Sequence, residues 1–252
     1  MTFNPTRRTR KIVATLLAAG IAGGATAGVV AASRGAPAQT PTPTVVKVTA
    51  AAKTSTSTVP KPLTRAETAA EDVIGFLEKG QPAKSKAEAL VLRNLAHGQA
   101  ADALRQAGVP STQIKLFQQR ADRTAWRSLT NAQALQTSLA ANSVSQLMPG
   151  FYARYQDPVP AAVLKLDYLD REVHLRSQAG QQEQLSAAVR QLESTWQQVR
   201  PQLVKAGGTT EATAYDAHIK ALQRGGTTAA IQKQAVTGLD IVDKMEGVFL
   251  GK

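Results

Sequence analysis

The chain has 252 residues, no cysteine, 4% aromatic residues and a formal net charge of +12. Without cysteine there are no disulfides, no thiolate chemistry, no Cys-ligated zinc or iron–sulfur centre and no lipid-modified N-terminal Cys. The charge resembles a nucleic-acid signal, but residues 1–62 hold eight Lys/Arg and no acid, leaving 22 basic and 18 acidic residues, a net of +4, in 63–252.

In chain order, a basic head (1–11, with Arg7, Arg8, Arg10 and Lys11) precedes 21 uncharged residues, Ile12 to Ala32. That length suits a spanning helix, which needs about 20 residues, whereas the apolar core of a signal peptide has about 7–15. Four basic residues before the segment and Arg34 after it set an orientation with the head in the cytoplasm. Gly20, Gly24 and Gly28 form two overlapping GxxxG patterns, a close-approach face for a homodimer within the membrane. Small-x-small sites at Ala25-Thr26-Ala27 and Ala36-Pro37-Ala38 would suit a signal peptidase, and Thr9-Arg10 departs from a twin-arginine signal.

Residues 33–62 carry five Pro and seven Thr without a helical apolar period, the composition of a disordered stalk. As coil it would reach about 30 Å, and as polyproline II up to about 90 Å. A spacer serves a tethered domain, which favours an uncleaved single-pass anchor with 63–252 outside the cytoplasm. Cleavage instead would make that domain secreted or periplasmic. Either route carries it away from the genome, so no nucleic-acid partner is expected.

The 190 residues from 63 to 252 suffice for one core, with room for two subdomains. Plentiful Ala, Leu, Gln and Arg predict an all-α antiparallel helical bundle. Capping boxes at Thr64–Glu67 and Ser85–Glu88 predict helices over about 65–79 and 86–107, with stops at Gly80–Pro82 and Gly108–Pro110. Ser111 predicts a cap for a third helix to about Leu129, and Thr130 with Gln133 the start of a fourth to about Met148. A loop around Pro149 to Pro160 holds Phe151, Tyr152 and Tyr155, before a helix over about 160–179.

The core signal is clearest near the end. Leu185, Val189, Leu192, Trp196, Val199 and Leu203 step by four and three, as do Ile231, Ala235, Gly238, Val242, Met245 and Phe249. Pro201 is expected to bend the first of these helices. Gly207-Gly208-Thr209-Thr210 and Gly225-Gly226-Thr227-Thr228 lack the Lys-Ser/Thr of a P-loop and read as helix ends with Thr caps.

Asp167, Asp170 and His174 fall within about 60° on the wheel of helix 160–179, between apolar flanks, with Glu172 and Arg176 opposite as the solvent face. Oxygen and nitrogen donors on one stripe suit a divalent metal, its shell completed from other helices by Asp216 with His218, and by Asp240, Asp243 or Glu246. The competing reading is ordinary i,i+4 pairing of Asp167 with Arg171 and Asp170 with His174. Arg120, Arg123 and Arg127 beside Trp126 form a basic stripe suited to solvent, anionic lipid, an anionic wall polymer or an aromatic ligand. There is no G-x-S-x-G elbow and no motif around His97, His174 or His218, so no enzyme activity is read.

Residues 163–175 (VLKLDYLDREVHL), 196–208 (WQQVRPQLVKAGG) and 238–249 (GLDIVDKMEGVF) resemble exported helical-bundle proteins of bacteria, mostly of unassigned function. The expectation is an anchored module with a binding or scaffolding role at the cell envelope, contacting the membrane, an envelope protein or a wall polymer. The alternative is a periplasmic metal- or small-ligand-handling protein using Asp167, Asp170 and His174.

Overall fold

Prolines, not side-chain caps, open the first helices. Pro60 holds the cap position of the first helix, Lys61–Glu78, in an extended conformation and Pro62 lies in its first turn, where the missing N–H costs nothing. The computed structural model describes residues 58–130 and 133–252. The head, the segment 12–32 with Gly20, Gly24 and Gly28, and nearly all of the Thr/Pro tract lie outside the described residues.

Among the described residues the regular structure is helical, with no strand. In order the helices are α1 Lys61–Glu78, α2 Pro82–His97, α3 Gln99–Gln106, α4 Ser111–Leu129, α5 Ala134–Ser145, α6 Met148–Tyr152, α7 Ala161–Gln178, α8 Gln182–Lys205, α9 Thr209–Arg224 and α10 Thr228–Phe249. None is long and apolar enough to cross a membrane.

Helices α1, α2, α4 and α5 close one four-membered ring, and α7, α8, α9 and α10 close another. In the second ring the short connections make consecutive helices antiparallel. Packing of α5 and α6 against α7 joins the rings, and one apolar cluster runs through both, from Leu63 to Met245.

The two rings share one plan. Buried Leu63, Ala66, Glu67, Ala69, Ala70 and Val73 of α1 stand 100 residues before buried Val163, Leu166, Asp167, Leu169, Asp170 and Val173 of α7. Gly80 and Gly180, at φ 65° and 66°, end these helices in the left-handed conformation that glycine adopts without strain. In each, the next N–H returns to a carbonyl five residues earlier, Gln81 to Phe76 and Gln181 to Arg176. Further on, Ile114, Phe117, Ala121 and Thr124 of α4 match Ala212, Tyr215, Ile219 and Leu222 of α9. Ser138, Ala141 and Asn142 of α5 match Ala235, Gly238 and Leu239 of α10.

Both predicted capping boxes are overturned. They lie one turn inside helices that have already begun, so the N–H groups they would satisfy are bonded within the helix: Thr64 N–H to Pro60 O and Ser85 N–H to Gln81 O. The side chains of Ser85, Glu67 and Glu88 turn to other helices instead. Ser85 Oγ donates to Val73 O of α1 at 3.0 Å, Glu67 accepts from Tyr152 and Glu88 accepts from Arg65. Ser111 is the first helical residue, with Pro110 at the cap. A side-chain cap does occur at Thr227, which accepts from Ala230 N–H at 3.2 Å.

Two further boundaries differ. The predicted helix 86–107 is broken at Gly98, whose φ −124° and ψ −122° lie outside the helical region. The helix predicted to reach about Met148 is α5, which stops at Ser145, and the predicted loop opens with the short helix α6, bringing Phe151, Tyr152 and Tyr155 into the core. The seam of α8 holds: Leu185, Leu192, Trp196, Val199 and Leu203 are buried, and the helix runs past Pro201 to Lys205. In α10, Ala235, Gly238, Val242 and Met245 are buried.

Candidate functional site

Helix α7 belongs to the second ring and also lies against α5 and α6 of the first half. Eleven of its 18 residues are therefore buried, and the expected solvent face is covered as well. Glu172 accepts from Asn142 Nδ2 of α5 at 2.7 Å and from Arg176 Nε at 2.6 Å, and Arg176 also donates to Gln181.

The three residues proposed as metal ligands are directed to three different partners. Asp167 accepts from Arg171 Nη2 at 2.6 Å. The His174 ring lies 3.5 Å from Glu78 at the end of α1. Asp170 faces α9, where Tyr215 Oη donates to its Oδ2 at 2.7 Å and His218 Nε2 meets its Oδ1 at 2.8 Å. His218 thus meets Asp170 directly, and Asp216 does not join them. It accepts from Trp196 Nε1 at 2.8 Å and pairs with Arg200. Among the described residues no group of three or more His, Asp or Glu side chains is arranged to hold a metal ion.

The Asp170 cluster is closed. Asp170 and His218 are inaccessible to solvent, and Tyr215 is covered by Trp196, ring centroids 4.7 Å apart, and by the His218 ring at 4.9 Å. Burial pushes the Asp170 carboxyl above its ordinary range against the opposing pull of His218 and Tyr215. Burial and the adjacent Asp170 likewise raise the Tyr215 hydroxyl, so it stays a neutral donor. Among the described residues, His218 Nδ1 meets no hydrogen-bond partner.

Room for the carboxylate comes from Gly238 of α10. A β-carbon there would stand 2.5 Å from the Asp170 carboxylate atoms. The first ring has Ala70, Phe117 and Ala141 where the second has Asp170, Tyr215 and Gly238. The sequence signal for this cluster was Gly238, a residue without a side chain at a core-seam position.

A second polar cluster spans the two rings. Arg171, nearly buried, donates to Asp167 and to Glu71 of α1 at 3.2 Å, and lies 3.5 Å from Asn142 Oδ1. Two shallow clefts, of about 240 and 280 Å³, are lined by Leu77, Pro82 and Arg127, and by Arg105, Val109 and Ile114. Neither reaches Asp170, and both fall below the roughly 300 Å³ at which small-molecule pockets begin.

The predicted basic stripe on α4 is reorganised. Arg120 turns to α5 and donates to Ser143 O and, at 2.8 Å, to Gln146 Oε1. Arg123 remains exposed beside Trp126, which is 61% exposed. Leu116 and Leu129 are also exposed, so three of the four exposed large apolar residues among the described residues lie on this one helix.

The described residues thus define an all-helical protein of two four-helix rings joined through α5, α6 and α7. Comparison with protein-family models, with curated proteins and with solved structures returned no match. The functional reading therefore rests on the chain's own chemistry.

Proposed function

We propose that the helical domain is a binding or scaffolding module at the cell envelope, carried outside the cytoplasm on the Thr/Pro stalk and anchored by residues 12–32. The observation that carries the binding role is the division of labour among side chains. Asp167 and Asp170 of α7 and His218 of α9 are spent on partners inside the fold, while large apolar residues and cations are left to solvent on α4. Interior groups so arranged stabilise and specify a core; exposed apolar residues grouped on one face mark contact surfaces.

Fractionation of cells expressing the full chain tests the anchoring. The expected result is full-length protein in the membrane fraction, resistant to carbonate extraction, with its C-terminal domain cleaved by protease added from outside the cytoplasm. A shortened, freely soluble product would overturn it.

A further inference from the structure

We infer that the outer face of α4 seats on the anionic headgroups of a lipid surface, a conclusion that rests on the anchored reading above. Successive residues of an α-helix turn by about 100°. On that wheel Lys115, Leu116, Gln119, Arg123, Trp126 and Leu129 share one arc of about 140°. All six are exposed.

The chemistry of this face selects the occupant. An indole ring with a polar N–H and an apolar body suits the boundary between headgroups and acyl chains, and Leu116 and Leu129 add apolar contact. Lys115 and Arg123 have long apolar stems that let their charges reach the phosphates beside the buried ring. One acid, Asp122, lies inside the arc between Leu129 and Lys115, and it is held by Arg93 Nε at 3.0 Å and His97 Nε2 at 2.9 Å, both from α2. The face therefore presents cations and apolar groups together.

Packing does not require this face. In α9, which shares the buried register of α4, the positions of Leu116, Gln119 and Arg123 are Ala214, Ala217 and Ala221, and that of Trp126 is Arg224. The same four-helix plan thus closes without large apolar residues on its outer side. A protein partner would bury about 800 Å² on each side of a standard interface, whereas a convex stripe on one helix suits a fluid surface into which a few side chains dip.

The test uses the full chain with vesicles of phosphatidylcholine carrying brominated acyl chains, with or without an equal share of phosphatidylglycerol. The chain has two tryptophans, and Trp196 is buried, so subtracting the emission of a Trp126→Phe variant isolates Trp126. The expected result is bromine quenching of Trp126 that rises with phosphatidylglycerol, falls at high salt, and drops about fivefold or more for Arg123→Glu. Equal quenching with and without phosphatidylglycerol would overturn the inference. So would protection of Trp126 by a soluble polyphosphate without bromine quenching, which would assign the face to an anionic polymer. Co-sedimentation with phosphatidylcholine vesicles reads the anchor separately. A chain that sediments without the anionic-lipid response fails only the docking, and one that does not sediment fails the anchoring.

Discussion

The carboxylate of Asp170 occupies the space that a β-carbon on Gly238 would need, at 2.5 Å. The equivalent positions in the first ring are Ala70 and Ala141. One ring thus has alanine at both positions where the other packs an aspartate against a glycine. Gly238→Ala alone should cost about 1–3 kcal/mol through overpacking. Adding Asp170→Ala and Tyr215→Phe, which copies the first ring, removes the clash together with the hydroxyl that needs Asp170. The unfolding free energy of the triple variant, read by urea denaturation, should lie above the sum of the single effects by about 0.5–3 kcal/mol of coupling. Strictly additive effects would count against the shared plan.

Arg171 and Arg105 both form ion pairs, but in different surroundings. Arg171 is 6% exposed between Asp167 and Glu71, whereas Arg105 and Asp102 are 55% and 61% exposed. Arg171→Ala takes a cation from beside two largely buried carboxylates and should cost about 3–5 kcal/mol. Arg105→Ala should change stability by less than about 1 kcal/mol. Chemical denaturation of the two variants compares them directly, and similar losses would contradict the burial argument.

Asp216 gives a pH dependence with a definite sign. Burial raises its carboxyl, but the hydrogen bonds from Arg200 and Trp196 and the charges of Arg200 and Lys220 outweigh that, so it lies below its ordinary value. A lowered carboxyl contributes stability above its unfolded pKa, about 3.9, and loses it as pH falls through the folded value. Asp216→Asn should therefore destabilise modestly near neutrality, by less than about 1 kcal/mol at so exposed a pair. The difference from the parent should shrink below about pH 4. A difference that grows on acidification would reverse the assignment.

Thr64 and Thr227 look alike in sequence as helix starters, yet only Thr227 caps a helix. Thr227→Ala should cost about 1 kcal/mol. Thr64→Ala lies inside α1 and should be neutral or stabilising by up to about 0.5 kcal/mol, because alanine is the better helix former. Thermal midpoints of the two variants decide this; a loss at Thr64 as large as at Thr227 would restore the predicted cap.

The sequence by itself determined what depends on near neighbours. The three–four spacing of Leu185 to Leu203 and of Ala235 to Met245 marks buried helix faces because 3.6 residues per turn bring those positions to one side. Gly80 and Gly180 mark helix ends because a left-handed residue is costly for any side chain with a β-carbon. Tertiary structure decided what depends on residues far apart. Asp170 meets Tyr215 and His218 across 45 and 48 residues, and no spacing within α7 reveals which helix its acids will face. The apparent solvent face at Glu172 and Arg176 is covered because α7 has neighbours from both rings, and Thr64 and Ser85 lose their capping role because their helices start a turn earlier. The shared plan of the rings was equally hidden: its conserved property is burial, which alanine, aspartate and leucine satisfy at equivalent positions once the neighbouring helix makes room.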